Sequence, residues 1–439
     1  MTEKGLNDIM FVSVFISMIF VNYDLYHSNN SYIGIFNMKY LIVNPGSASK
    51  KYAIYEGDKE IAFIHLETKE KGFCSNLKYS DKTETVDLSA KDYDKSLVYI
   101  FNFLKEKGII LNKEEISGIG MRIVAPGISF QKNGLIDKEY IKQLYEAKKK
   151  APLHLEAEIE EIERLRKFFG LPVKGLFGQG NNIKMIGISD SAFHIDMPEK
   201  AKKYAIPLEL AKKYEIYRYG YHGISIRSIL NKIKSKEQLP GRMVVCHIGG
   251  GVSITAIKDG KSIDTSMGFT PLEGVVMANR VGDIDSGALI YMSEVLRMDG
   301  KKLRQYLNKE CGLMGLSGGK SADVRDLLKF ESEGDNDAKL ALDIYAYRIQ
   351  KQIGSYAVAL GGIDRIIFSG TVGERSFKMR KRICDGLNFL GVKLDENINN
   401  ITEGKDGVVS SIDSKVKIEV VKTDEMKDLS EETRVFLNS

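Results

Sequence analysis

The chain has 439 residues, enough for two or three domains and a sizeable core, which excludes a peptide ligand or a small binding module. Lys and Arg total 64 against 59 Asp and Glu, a formal charge of +5 with the signs interleaved apart from short runs such as residues 148–150, so nucleic-acid binding is not its main business. The 43% hydrophobic and 28% charged composition is that of a globular chain, and four well-separated cysteines (Cys74, Cys246, Cys311, Cys384) without CxxC spacing suggest neither a zinc site nor a disulfide framework, hence a reducing, cytoplasmic protein.

Residues 9–21 (IMFVSVFISMIFV) form a nearly unbroken apolar stretch. It is short of the roughly 18 residues a membrane span needs, and it lacks both the basic flank and the small-residue cleavage site of a signal peptide. Residues 1–37 are therefore expected to be an accessory or spurious extension, and no membrane contact is expected of the core. Residues 39–43 read as a short apolar strand, and residues 51–55 as a second one leading to a Gly57-Asp58 hairpin. Leu97, Ile100, Phe101 and Leu104 keep helical spacing, as do Leu155, Ile159 and Ile162. Residues 243–248 and 252–257 read as two more strands around a glycine turn. An amphipathic helix over about 338–360 ends at Gly361-Gly362, and residues 363–369 form another strand. Strands and helices thus mix throughout, which predicts an α/β chain.

The chain also resembles itself. VNPGSASKKYAIYEG from Val43 aligns with CHIGGGVSITAIKDG from Cys246 at constant offset, so that Gly46 meets Gly249, Ala53 meets Ala256, Ile54 meets Ile257 and Gly57 meets Gly260. Two related domains, each offering a Gly/Ser-rich turn to an anion, would leave this pattern, because glycine lacks the Cβ that keeps a phosphate away from backbone N–H groups; any two glycine-punctuated hairpins are the plainer explanation. The stretch from Gly315 to Ser321 is a near miss to a phosphate-binding P-loop, with Met314 where its first glycine belongs and no strand leading in. The Gly249–Gly251 turn likewise lacks the following helix of a dinucleotide fingerprint.

The remaining motifs are specific. NPGSASKK from Asn44, Arg122 in GMRIVAPG, APLH ending at His154, DSAFHIDMP from Asp190, RYGYHG from Arg218, HIGGG from His247, DTSMGFTPLEG from Asp264 with NRVGDID from Asn279, DVRD from Asp323, SGTVGE from Ser369 and TDE from Thr423 follow in order. Together they resemble the acetate kinase family of acyl-phosphate-forming kinases, from about Met38 to the C-terminus. The resemblance implies the duplicated two-domain actin, Hsp70 and sugar-kinase type of fold (ribonuclease H-like) with a central nucleotide cleft, usually a homodimer. It also implies reversible, direct in-line phosphoryl transfer between ATP or ADP and acetate or acetyl phosphate with Mg²⁺ or Mn²⁺. The expected domains are 38–187, with 424–439 packing back on it, and a nucleotide-binding domain over 188–423.

By similarity, Arg122 and Arg280 flank the transferring phosphoryl group, each a planar fork of donors. Asp190 is the catalytic acid, and His222 and His247 stabilise the transition state, with His154 a weaker match. Asn44 and Glu425 match metal-associated positions. Asn44, Ser47, Ser49 and Lys51 match the first phosphate-proximal turn. On the nucleotide side are His247 with Gly249, Gly250 and Gly251, then Asp323, Val324 and Arg325, then Gly370, Thr371, Val372, Gly373 and Glu374. Val124, Leu153, Tyr221 and Pro271, with Arg122, would line the acceptor pocket, Tyr221 standing where phenylalanine is usual. Met121, Ala125, Pro126, Leu155-Glu156, Ile226 and Gly250 depart from the family pattern and bear on acceptor identity more than on reaction type. A kinase for propionate or another short carboxylate, and an actin-like nucleotide-binding relative without acyl transfer, are the alternatives.

Overall fold

A computed structural model describes residues 38–46, 49–69, 72–171 and 183–439, so that the apolar N-terminal stretch and Ser47 lie outside the described residues. The chain divides into two compact units, Met1–Met121 with Ile162–Met185 and Thr433–Ser439, and Arg122–Glu161 with Ile186–Glu432.

In the first unit, β1 (Lys39–Pro45), β2 (Ser49–Glu56), β3 (Lys59–Thr68), β4 (Phe73–Tyr79) and β5 (Lys82–Leu88) form an antiparallel meander, and β6 (Ile116–Ile123) joins β1 in parallel. Leu41, Ile42 and Val43 are fully buried, as expected of a continuous apolar run in a strand covered on both faces. Helix α1 (Ser96–Glu106) buries Leu97, Ile100, Phe101 and Leu104, the positions its spacing singled out. Gly118 and Gly120 on β6 leave room for the side chains of Leu437 and Thr433, which a Cβ at either position would strike. Helix α2 (Pro152–Phe169) carries Leu155, Ile159 and Ile162, all buried. Strands β7 (Gly134–Leu135) and β8 (Lys184–Ser189) pair antiparallel through Gly134↔Gly187 and Leu135↔Ile186.

The second unit holds β9 (Arg242–Ile248), β10 (Val252–Lys258), β11 (Lys261–Thr265), β12 (Arg365–Ser369), β13 (Gly407–Val408) and β14 (Lys417–Val420), in the sheet order β11-β10-β9-β12-β14-β13. Three more helices matter here: α3 (Gly223–Lys234), α4 (Asn336–Leu360) and the one-turn α5 (Gly370–Arg375). Helix α4 opens on Asp335, whose carboxylate accepts the N–H groups of Asp337 and Ala338, and closes on Gly361 at φ 71°. Between the caps Ala338, Ala341, Leu342, Tyr345, Ile349 and Ile353 form the stripe that joins the core.

The self-resemblance is visible in the topology. The order β3-β2-β1-β6 in one unit recurs as β11-β10-β9-β12 in the other, three antiparallel strands with a parallel neighbour on the far side. The first turn is one residue longer, closing on Pro45↔Lys50 where the second closes on Ile248↔Val252. The division places residues 122–161 with the second unit, where the expected boundaries had them in the first. Polar ties join this segment to the rest of that unit: the Asp190 N–H donates to the Ile123 carbonyl, and Lys150 pairs with Glu215. Lys320 of the P-loop near miss is paired with Asp335 and Asp337, and the residues before it are a short helix, Gly312–Leu316.

Candidate active site

Strand β9 lies between β10 and β12, so His247 has Ser253 as register partner on one side and Ser369 on the other. The Ser369 hydroxyl is 3.2 Å from His247 Nδ1, while Ser253 is 3.0 Å from Nδ1 of His222, whose ring centroid is 4.5 Å from that of His247. Both imidazoles are thus held at Nδ1 by a serine.

His222 caps α3 from the left-handed region, at φ 62°. A side chain in that conformation costs of order 1–3 kcal/mol and persists only where its surroundings fix it. Its N–H donates to Asp190 Oδ2 at 2.8 Å, the Gly223 N–H donates to the Asp190 carbonyl at 2.8 Å, and a Cβ on Gly223 would collide with that carbonyl. Asp190 Oδ2 also accepts Arg122 Nη2 at 3.0 Å, and Arg122 Nη1 is 3.7 Å from Glu425 Oε2. Asp190 is 1% exposed, and its Oδ1 has no partner among the described residues.

Arg280 approaches the glycine turn, where a Cβ on Gly251 would sit 3.3 Å from its Nη1 and 3.5 Å from the His222 ring. Among the described residues its hydrogen bonds go to the Pro271 carbonyl and, weakly, to the Met277 thioether, and burial pushes its pKa down. Even a half-buried cation with no carboxylate beside it is costly unless an anion is to be bound there. Burial also opposes the Arg122 charge, yet Asp190 and Glu425 overcome it and hold its pKa above the ordinary value. Burial, then His247, Arg122 and Arg280, push His222 well below the usual histidine range, and burial lowers His247, so both rings are neutral donors or acceptors near pH 7.

On the nucleotide-side positions, Gly370 stands at φ 74° against the Ile248 carbonyl, and Glu374 accepts the Gly370 N–H at 3.1 Å and the Thr423 N–H at 3.4 Å. Gly373 is buried, Val372 packs on the core, and a Cβ on Gly249 would lie 3.9 Å from the Thr371 nitrogen, so the two glycine turns adjoin. Gly250 has open space around it. Asp323 caps the helix Val324–Ser332 and pairs with Arg325, whose side chain is exposed, while Val324 is in the core.

Of the residues expected to line the acceptor pocket, Tyr221 is buried with Val124 packed against the same core, and Pro271 is buried; Leu153 sits half-buried on α2. The Tyr221 hydroxyl donates to the Phe269 carbonyl at 2.8 Å. Asn44 and Lys51 face each other in register at the β1–β2 turn of the first unit, with Ser49 opening β2. Among the described residues no three His, Cys, Asp or Glu side chains gather into a metal-holding group.

Four contributors were not legible as site residues. His194, fully buried, is 2.8 Å from Ser262 Oγ through Nδ1 and 3.0 Å from the Tyr221 carbonyl through Nε2, fixing the backbone just before His222. Ser253 and Ser369 owe their role to strand register, which a linear reading does not supply. Glu158, 3% exposed, accepts the Val124 N–H with both oxygens.

Known proteins resemble the chain over most of its length. The acetate kinase of Pseudothermotoga lettingae is 39% identical over 418 residues, 92% of this chain and 98% of its own, and that of Bacteroides fragilis is 39% identical over 410 residues, 91% of this chain and all of its own. Among solved structures, Porphyromonas gingivalis acetate kinase superimposes with a TM-score of 0.77 at 33% identity, covering 91% of this chain and 99% of its own. A propionate kinase from Francisella tularensis gives 0.79 at 32%, covering 90% and 99%. These likenesses fix the fold as the duplicated actin, Hsp70 and sugar-kinase type. The sequence profile of the acetokinase family matches residues 39–431, and the chain belongs to that family of carboxylate-phosphorylating kinases.

Proposed function

We propose that the protein transfers the γ-phosphoryl group of ATP directly to acetate, forming acetyl phosphate and ADP reversibly, with Mg²⁺ on the nucleotide. The observation that carries this reading is Arg280, a half-buried guanidinium with no carboxylate partner among the described residues, beside a side-chain-free glycine turn and a neutral histidine. Phosphoryl transfer to a carboxylate needs little covalent help. It needs positioned donors around three equatorial oxygens as charge spreads over them. Arg280 and Arg122 supply forked donors. With the Ser253 hydroxyl donating to Nδ1, His222 keeps its proton on Nε2 and donates without adding charge. Asp190 orients Arg122 and the His222 backbone together. The unpartnered Asp190 Oδ1 and the Glu425 carboxylate are hard oxygen donors of the kind Mg²⁺ takes, and the ion when bound would neutralise nucleotide phosphate charge.

Propionate is the second reading. It is favoured by the Tyr221 hydroxyl, which is engaged by Phe269 and so leaves an aromatic, apolar wall, and by the likeness to a propionate kinase. A reducing, cytoplasmic setting is supported by four free cysteines, three of them buried, and by the lack among the described residues of a helix long and apolar enough to cross a membrane. A homodimer is supported by the helix Ser286–Val295, which leaves Ile290 and Tyr291 more than 60% exposed. The deciding experiment incubates the protein with ATP, Mg²⁺ and acetate, propionate or butyrate and traps acyl phosphate as hydroxamate. Hydroxamate from acetate, with propionate tolerated, is expected; nucleotide binding without product from any acceptor would overturn the reading.

A further inference from the structure

The end of β6 and the loop that leaves it carry two residues of the acceptor side, Arg122 and Val124, and this backbone is held from both directions. The Asp190 N–H donates to the carbonyl of Ile123 at 2.9 Å, and the Val124 N–H donates to Glu158 Oε1 and Oε2 at 3.0 and 3.2 Å. Glu158 reaches this backbone from α2, the helix that also carries Leu153. Being 3% exposed, it brings a third acid towards a guanidinium that already serves Asp190 and Glu425.

Resting on the carboxylate-kinase reading, we propose that Glu158 is a positioning residue of the acceptor site, holding the Arg122–Val124 backbone through the Val124 N–H and setting acceptor affinity by its own state of charge.

The charged and titratable groups that face Glu158 are Arg122 on β6, Asp190 after β8, Tyr140 on the helix Lys138–Lys150 and Tyr221 before α3; one turn on along its own helix lies the buried Glu161. Burial raises the Glu158 carboxyl to about 8, against the Val124 N–H and Arg122, which lower it. Below that pH the group is neutral, and its oxygens still accept the Val124 N–H. Above it, a further negative charge competes with an incoming carboxylate for Arg122. The sign follows: acceptor binding is unopposed at low pH and weakens as pH rises through about 8, by at most about tenfold per pH unit, the limit for one proton.

The test measures KM for acetate and for ATP between pH 6 and 9.5 in the unmodified protein, Glu158→Gln and Glu158→Leu, with circular dichroism to verify folding. The amide of Glu158→Gln still accepts the Val124 N–H and cannot ionise, so the alkaline rise in acetate KM should disappear. Glu158→Leu strands a buried donor and should raise acetate KM ten- to a hundredfold at pH 7, with ATP KM moving less than about threefold. An alkaline rise in Glu158→Gln equal to that of the unmodified protein would overturn the proposal, whether or not Glu158→Leu folds. Absence of hydroxamate from the unmodified protein at every pH would instead sink the carboxylate-kinase reading and this proposal with it.

Discussion

Arg280 and Arg122 present the same chemical group in opposite electrostatic settings. Arg122 is neutralised by Asp190 and Glu425, whereas burial depresses Arg280, which pairs with no acid among the described residues. Removing Arg122 should strand Asp190 and delete a donor fork, while removing Arg280 should relieve a half-buried, unpaired charge and raise stability, so the variants should separate in thermal unfolding. Both Arg122→Ala and Arg280→Ala are expected to lower kcat by about 10²–10³-fold, the scale of one transition-state donor, with nucleotide affinity by calorimetry changed only a few-fold. Near-normal turnover would remove the residue from the site. Tyr221 gives a finer test: its hydroxyl is engaged by the Phe269 carbonyl, so Tyr221→Phe should lose about 1 kcal/mol of stability and move the acetate-to-propionate ratio less than about threefold. A tenfold move, the scale of a methylene in an apolar pocket, would place that hydroxyl against the acceptor. Among the departures from the family pattern, Met121, Ala125, Leu155 and Ile226 are fully buried.

At the scale of elements, apolar runs and helical spacing were enough to place β1, β2, α1, β9, β10 and α4, because each buries the side chains its periodicity marks. The repeated hairpin was legible too, but its register was not. A constant-offset alignment hides the extra residue in the first turn, and the Ser253–His222 and Ser369–His247 contacts depend on which strand neighbours β9. Charge in the core was equally hidden, since nothing local distinguishes Arg380 from a surface arginine. It is fully buried, and its guanidinium donates to Asn399 Oδ1 and to the carbonyls of Gly373, Glu374, Asn399 and Thr402, pinning the end of α5. Burial lowers it only to about 10, so it stays charged at neutral pH. Arg380→Met should therefore destabilise the protein by more than about 3 kcal/mol in urea unfolding, since several buried acceptors lose their donor at once. A loss under about 1 kcal/mol would mean that water replaces the guanidinium.

Across the whole molecule the buried titratable groups set opposing slopes of stability against pH. His194, lowered to about 4, and His222 and His247, also lowered, stay neutral in the folded protein, while the unfolded chain protonates them below about 6.5. Between about pH 5 and 6 the unfolded state binds up to three more protons at these positions, which makes stability rise with pH. Glu158, raised to about 8, and Asp428, raised to about 6 by burial despite its pairing with Arg227, act the other way. Each holds a proton in the folded state that the unfolded chain has released, so its contribution is full below about pH 4 and is lost as pH rises through the folded value. The histidines outnumber the acids below pH 6, and Glu158 acts alone among these groups between about 6.5 and 8. Stability should then peak near pH 6.5 and fall by about 1 kcal/mol per pH unit towards pH 8, read as a declining urea midpoint at constant m-value. Glu158→Gln should flatten the alkaline limb and leave the acid limb in place. An alkaline limb that persists in Glu158→Gln would show that Glu158 is ionised in the folded protein throughout this range, with Arg122 outweighing its burial.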